Sequence, residues 1–217
     1  MKTGISTASL YGKMYTEQAL EFFNKNGVEN CEVFLSSFSE YDESFGKTLK
    51  EKQGKVNVHS IHTLNSQFEG QLFSHSLRQY EDAKKIFTSC IEIGRRLGAK
   101  IYVLHGPQQM KYTKYVTNYQ FFGERTSELA YIAKKHDMLL TWENVHWTHY
   151  NHPDFMKNIL PFVDEEIGCT LDIKQAKQSD TPVDKYISDM QGKIKNVHIV
   201  DFDEQGNMVL PTKGYYD

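Results

Sequence analysis

His136–Trp147 reads HDMLLTWENVHW, and the order of residues in it decides how the chain folds. A run that wants burial, Met138 to Trp142, is followed at once by a carboxylate, Glu143. That is the pattern of a short, fully buried parallel strand whose polar head emerges where the strand leaves the core. The same order returns twice further on. EEIGCTLDIKQA at 165–176 delivers Asp172, and GKIKNVHIVDFD at 192–203 delivers His198. Two carboxylates and an imidazole at three successive strand tips are a ligand set for a divalent cation, and one ion between them would explain all three.

Working outward, short apolar runs alternate with helical patterns along the whole chain, which predicts parallel strands joined by crossover helices. Strands are expected at KTGIST near the start, at 30–35, 56–62, 100–106, 138–144, 167–173 and 194–200. Helices are expected at 16–26, with Thr16 as cap and Gly27 beyond its end, and at 77–97, stopping at Gly98. Further helices are expected at 116–136, 153–162 and 183–191. The fold class is therefore α/β, of the (β/α)8 TIM-barrel type, with seven strands and the last β/α unit missing. No proline-rich or low-complexity linker interrupts the sequence, so one domain over 1–217 is expected. In such barrels the loops after the strands carry the chemistry, so polar strand tips matter most. His62 after the third strand, His105 after the fourth and Glu32 within the second join the candidates. His59 and His62 are read as sharing a strand face, one in the core and one in the pocket.

With 39% hydrophobic residues in 217, the chain can bury a sizeable core. A net charge of −3 with mixed signs gives no basic field to grip a phosphate backbone, so nucleic acid is not an expected partner. Cys31, Cys90 and Cys169 form no CxxC pair, which suits buried thiols in a reducing compartment such as the cytoplasm. No stretch reaches the length of a membrane span, and MKTGISTASL lacks the apolar centre of a leader.

GISTASLY at 4–11, HSIHTLNSQFE at 59–69, VLHGP at 103–107, WEN at 142–144, LDIKQA at 171–176 and HIVD at 198–201 together resemble the sugar phosphate isomerase/epimerase family. These are xylose isomerase-like TIM barrels whose wider group includes endonuclease IV. The closing LPTKGYYD at 210–217 is similar to the family's Pro-Gly-x-Gly-x-x-Asp stretch before its eighth strand. The resemblance implies metal ligands at Glu143, Asp172 and His198 and a fourth, a glutamate, on an eighth strand. These 217 residues stop before that strand, so weak metal binding and little turnover by them alone are expected. A shortened chain and a homo-oligomer that completes its barrel with a partner subunit both fit. Many relatives carry a histidine three residues after the aspartate, where this chain has Gln175. A glutamine neither shuttles protons nor ligates zinc well, which counts against a trinuclear zinc site.

Each residue also has a plainer reading. Glu143 alone could be a solvated strand-end carboxylate, Asp172 a helix cap and His198, between Val197 and Ile199, a core imidazole. Convergence of the three favours ligation. His146, His149 and His152 follow Glu143 in a stretch of loop composition and are read as no metal site. Trp142 is expected in the core and Trp147 on an apolar wall against a sugar. The Lys and aromatic residues of 110–122 are read as the aromatic face of a helix start. The expected function is isomerisation or epimerisation of a small keto sugar or sugar phosphate through a metal-stabilised enediolate. Mn²⁺, Mg²⁺ or Zn²⁺ would be the cofactor, Glu143 both ligand and acid/base, and His62, His105, Lys174, Trp147 and Glu32 the substrate-binding residues. The alternatives are an endonuclease IV-like phosphodiesterase and a catalytically impaired barrel that only binds sugar.

Overall fold

A computed structural model describes residues 2–109 and 116–215. Its seven parallel strands pair in chain order: β1 Ile5–Ser6, β2 Asn30–Leu35, β3 Asn57–Thr63, β4 Ile101–Leu104, β5 Leu139–Glu143, β6 Gly168–Asp172 and β7 Ile194–His198. Between them run α1 Thr16–Lys25, α2 Glu43–Gln53, α3 Asn65–Phe68, α4 Leu77–Leu97, α5 Tyr119–Lys135, α6 Phe155–Ile159, α7 Ile173–Gln178 and α8 Val183–Asp189. A short antiparallel pair, β8 Asp201–Phe202 with β9 Met208–Val209, follows β7. This is the α/β barrel architecture the sequence implies, a sheet of parallel strands with crossover helices on its outside.

Strand alternation, with its period of two residues, divides the sheet into an outer apolar side and an inner side that carries most of the polar residues. Register places Glu32 beside Ser60, His62 beside Val103, Val103 beside Thr141, Glu143 beside Thr170, Thr170 beside Asn196 and Asp172 beside His198. Side chains at paired positions share a face, so these residues line one continuous inner surface. The surface is curled: Glu32 on β2 meets His198 on β7 at 3.1 Å, and the Thr141 and Thr170 hydroxyls touch at 2.8 Å. The alternate residues, such as Val33, Leu35, Ile61, Leu104, Leu140 and Leu171, pack outward against the helices in one cluster that reaches from Leu20 to Met190.

α4 supplies the largest helical contribution to that cluster, burying Ala83, Phe87, Cys90, Ile91, Gly94 and Leu97 along one stripe, and ends at a left-handed Gly98. Among the described residues, no helix is long and apolar enough to cross a membrane.

The structure departs from the expected elements in several places. Tyr15, not Thr16, is the N-cap of α1; the Thr16 hydroxyl instead donates to the Phe34 carbonyl at 3.1 Å. β1 is only two residues long and β7 ends at His198 rather than at 200. Helices α2, α3 and α7 lie where none was expected. The apolar face of α2 is only Phe45 and Leu49 beside Gly46, too narrow to register as a period. α7 is only six residues long. His59 and His62 do not share a face. They stand an odd number of residues apart, so strand alternation leaves His59 exposed while His62 turns inward. Residues 110–115 of the Lys and aromatic run, and the last two residues of LPTKGYYD, lie outside the described residues.

Candidate metal centre

Glu143 ends β5, Asp172 ends β6 and His198 ends β7, so three neighbouring strands present their last inward side chains to one another. His198 Nδ1 lies 2.9 Å from Glu143 Oε1 and 3.6 Å from Asp172 Oδ2. One donor atom from each residue falls within 4.8 Å of the others, a span that a single cation bridges. Asp172 is a cap and a candidate ligand at once. Its Oδ1 accepts from the Gln175 N–H at 2.7 Å and starts α7, which leaves Oδ2 to face the histidine. Asn144, the residue after Glu143, holds the two strand ends together. Its amide donates to the Asp172 carbonyl at 2.9 Å, and its oxygen accepts the Asp172 N–H at 2.8 Å.

A second group overlaps the first. His62 Nε2 and His105 Nε2 stand 2.9 Å apart, and His105 Nε2 lies 3.1 Å from Glu143 Oε2. His62, His105 and Glu143 again put donor atoms within 4.8 Å of one another, so Glu143 belongs to both groups. Among the described residues, the buried His62 Nδ1 has no hydrogen-bond partner, and Glu143 Oε2 has only the ion-pair approach of His105 Nε2. Two buried carboxylates, Glu143 and Asp172, crowded on one imidazole nitrogen are costly without balancing positive charge, which a cation supplies. On this ground the donor set fits a divalent ion.

Electrostatics in the cluster follow from burial set against close opposite charges. Burial opposes the charge on Glu143, yet His198 and His105 hold its carboxyl well below the usual range. Burial likewise opposes ionisation of Glu32, but His198 and His62 bring it down to about 2. His198 resists burial because Glu32 and Glu143 surround it, and its pKa rises well above 6.5. His105 is pushed up to about 10 by Glu69 and Glu143 against the same burial penalty. His62, desolvated and beside His105, falls to about 4. Asp172 moves up, through burial first, although the His198 hydrogen bond works the other way.

The remaining sequence candidates spread around this centre. Glu32 lies beneath it, taking the Ser60 hydroxyl at 2.8 Å and facing His198 Nε2 at 3.1 Å, so it supports the histidine from below. The Trp147 ring stands 6.1 Å from the His105 ring. Lys174, partly exposed, sits in the first turn of α7 just after Asp172. Trp142 is fully buried and donates to the Thr126 hydroxyl at 3.2 Å. His146 is tied to Gln175 Oε1 through Nδ1 at 2.6 Å and His149 to Thr117 at 3.0 Å, and neither enters a ligand group among the described residues. Sequence reading overlooked Glu69, Ser60, Asn144 and Asn196. Each is an ordinary polar residue whose role comes only from its neighbours in space; Asn144 lay within WEN, and Ser60 and Glu69 within HSIHTLNSQFE, while Asn196 carried no signal.

The family described as xylose isomerase-like TIM barrel matches residues 18–217. No curated protein matches the chain. Among solved structures, a D-tagatose 3-epimerase-like protein superposes with a TM-score of 0.77 at 19% identity, covering 94% of this chain and 77% of that one. The D-psicose 3-epimerase of Clostridium cellulolyticum H10, solved with D-tagatose, gives 0.75 at 16% identity, covering 97% and 78%. A sugar phosphate isomerase/epimerase from Parabacteroides distasonis ATCC 8503 gives 0.66 at 14% identity, covering 100% and 80%. At these identities the likeness establishes the fold.

Proposed function

The chain belongs to the xylose isomerase-like TIM barrel family, and from that premise we propose that it is a metal-dependent isomerase or epimerase of a small keto sugar or sugar phosphate. The observation that carries this reading is the convergence of Glu143, Asp172 and His198 from three successive strand tips onto donor atoms within 4.8 Å. These residues would hold Mn²⁺, Mg²⁺ or Zn²⁺, hard or borderline cations suited to carboxylate and imidazole donors. When bound, such an ion acts as a Lewis acid toward a carbonyl oxygen.

The rest falls to the chain. Glu143, ionised and buried, is the candidate base for the proton on the carbon beside the carbonyl. Its removal leaves an enediolate, and return of a proton to the opposite face or to the adjacent carbon gives the epimer or the isomer. Lys174 offers a cation for a substrate phosphate or oxyanion. His62 and His105 line the pocket, while Trp147 gives an apolar wall for the sugar's carbon face and helps exclude water.

The test combines metal content with isotope exchange. Purified chain should take up one Mn²⁺ and exchange deuterium from solvent into a ketohexose beside its carbonyl, a reading sensitive to slow turnover. Glu143→Gln should abolish both. A chain that takes up no dication, and whose sugar binding is untouched by Glu143→Gln, would instead be a non-catalytic sugar-binding barrel.

One observation favours a second reading, the sharing of Glu143 between two ligand groups. Two ions on a common carboxylate suit metal-assisted phosphodiester hydrolysis. The net charge of −3 and Gln175 weigh against it. Binding of two Zn²⁺ per chain together with nicking of an abasic duplex would establish it in place of the first.

A further inference from the structure

Glu69 has no solvent exposure and belongs to neither ligand group. A carboxylate in that position is expensive unless donors surround it. Five do. The Thr63 and Tyr102 hydroxyls donate to Oε1 at 2.9 and 3.0 Å. The Asn65 amide at 3.3 Å, the His105 backbone N–H at 3.1 Å and the His105 ring Nδ1 at 3.2 Å converge on Oε2.

The first three contacts would serve a purely structural staple between the ends of β3 and β4. The two from His105 do more, because one carboxylate oxygen holds both the backbone and the ring of the same residue. An ionised carboxylate only accepts, so the ring's Nδ1 carries a hydrogen toward Glu69. Nε2 faces Glu143 Oε2 at 3.1 Å and His62 Nε2 at 2.9 Å.

The segment around His105 has little room to do otherwise. Gly106 follows with φ of +74°, and a Cβ there would overlap the Trp142 ring. The Asn65 amide also donates to the Gly106 carbonyl, and Gln108 Nε2 donates to Asn65 Oδ1 at 3.2 Å. Carboxylates that grip the far nitrogen of a histidine in this way fix its tautomer and its direction.

We propose that Glu69 is a positioning residue for the candidate metal centre, clamping His105 so that its Nε2 is held against Glu143 Oε2. The inference rests on the reading of Glu143 as an ion ligand only for its functional consequence; the clamp itself can be read without metal. A Glu69→Gln variant leaves one acceptor oxygen for five donors, so the hold on His105 loosens.

The experiment is a histidine ¹⁵N–¹H spectrum of metal-free protein beside Mn²⁺ titrations. In the wild type the His105 Nδ1 proton should be observed and exchange slowly with solvent, and in Glu69→Gln it should exchange faster. Mn²⁺ affinity should fall about 10–100-fold in Glu69→Gln, whereas Tyr102→Phe, which removes a donor from the same carboxylate without touching His105, should leave it within about twofold. A His105 Nδ1 without a proton in the wild type would overturn the proposal, as would equal losses of affinity in the two variants. Should Glu69→Gln not fold, the wild-type ring spectrum decides alone. Should the wild type bind no Mn²⁺, the metal reading fails while the spectrum still decides the clamp.

Discussion

His198 sets the protonation behaviour of the centre, because Glu32, Glu143 and Asp172 all face its ring. Its raised pKa means that its ion pairs stabilise the metal-free fold fully below its ordinary value of 6.5 and are lost as pH rises through the higher folded value. Glu143 has the opposite sign: its contribution is present above 4.5 and lost as pH falls through the lowered folded value. The metal-free cluster therefore stabilises most between pH 4.5 and 6.5. Metal must displace the His198 proton, so Mn²⁺ affinity should rise by about tenfold per pH unit above neutrality, with about one proton released. Calorimetry in buffers of differing ionisation enthalpy measures that proton, and an affinity flat across this range would contradict the arrangement. At this scale the candidate ligands were legible in sequence, since a polar residue closing an apolar run has few other places to go. Glu69 was not, because nothing in NSQFEG distinguishes a carboxylate that will be buried from one that will be solvated.

Strand ends, rather than whole strands, are the elements that shape the site. Asn144 ties β5 to β6 through two hydrogen bonds to the Asp172 backbone, both fully buried. Asn144→Ala leaves that N–H and carbonyl without partners and should cost about 2–4 kcal/mol. Urea unfolding measures the loss, and Mn²⁺ affinity should fall with it, since Asp172 is no longer held in place. Strands β2 to β7 were legible because their apolar runs are short, bounded by turn residues and spaced by helices. α2 was not. Most of its eleven residues are polar or charged, and what fixes it is contact with α1 and α4 rather than its own period. The cap of α1 was misplaced by one residue because Thr16 suits an N-cap chemically, yet its hydroxyl is engaged with Phe34 and Glu40.

For the molecule as a whole, the curled sheet has two edges among the described residues: β1 pairs only with β2, and β7 only with β6. Ile5 on the one and Ile199 just beyond the other are 45% and 62% exposed. Unpaired parallel edges with exposed aliphatic residues template further strand pairing. These 217 residues should therefore self-associate with rising concentration, and Ile199→Lys should weaken that association without altering helix content. Sedimentation velocity and circular dichroism report the two effects. The barrel class could be read in advance because the alternation of elements is global; the direction of curl emerged only from contacts such as Glu32 with His198, which join residues far apart in the chain.

The double duty of Asp172, with one oxygen starting α7 and the other turned to His198, makes the donor and the helix a single mechanical part. Lengthening or shortening the chain inside that first turn would swing the carboxylate away from its companions. Insertions and deletions among descendants of this sequence are therefore expected to be tolerated in the turn at 179–182 and purged between 172 and 175.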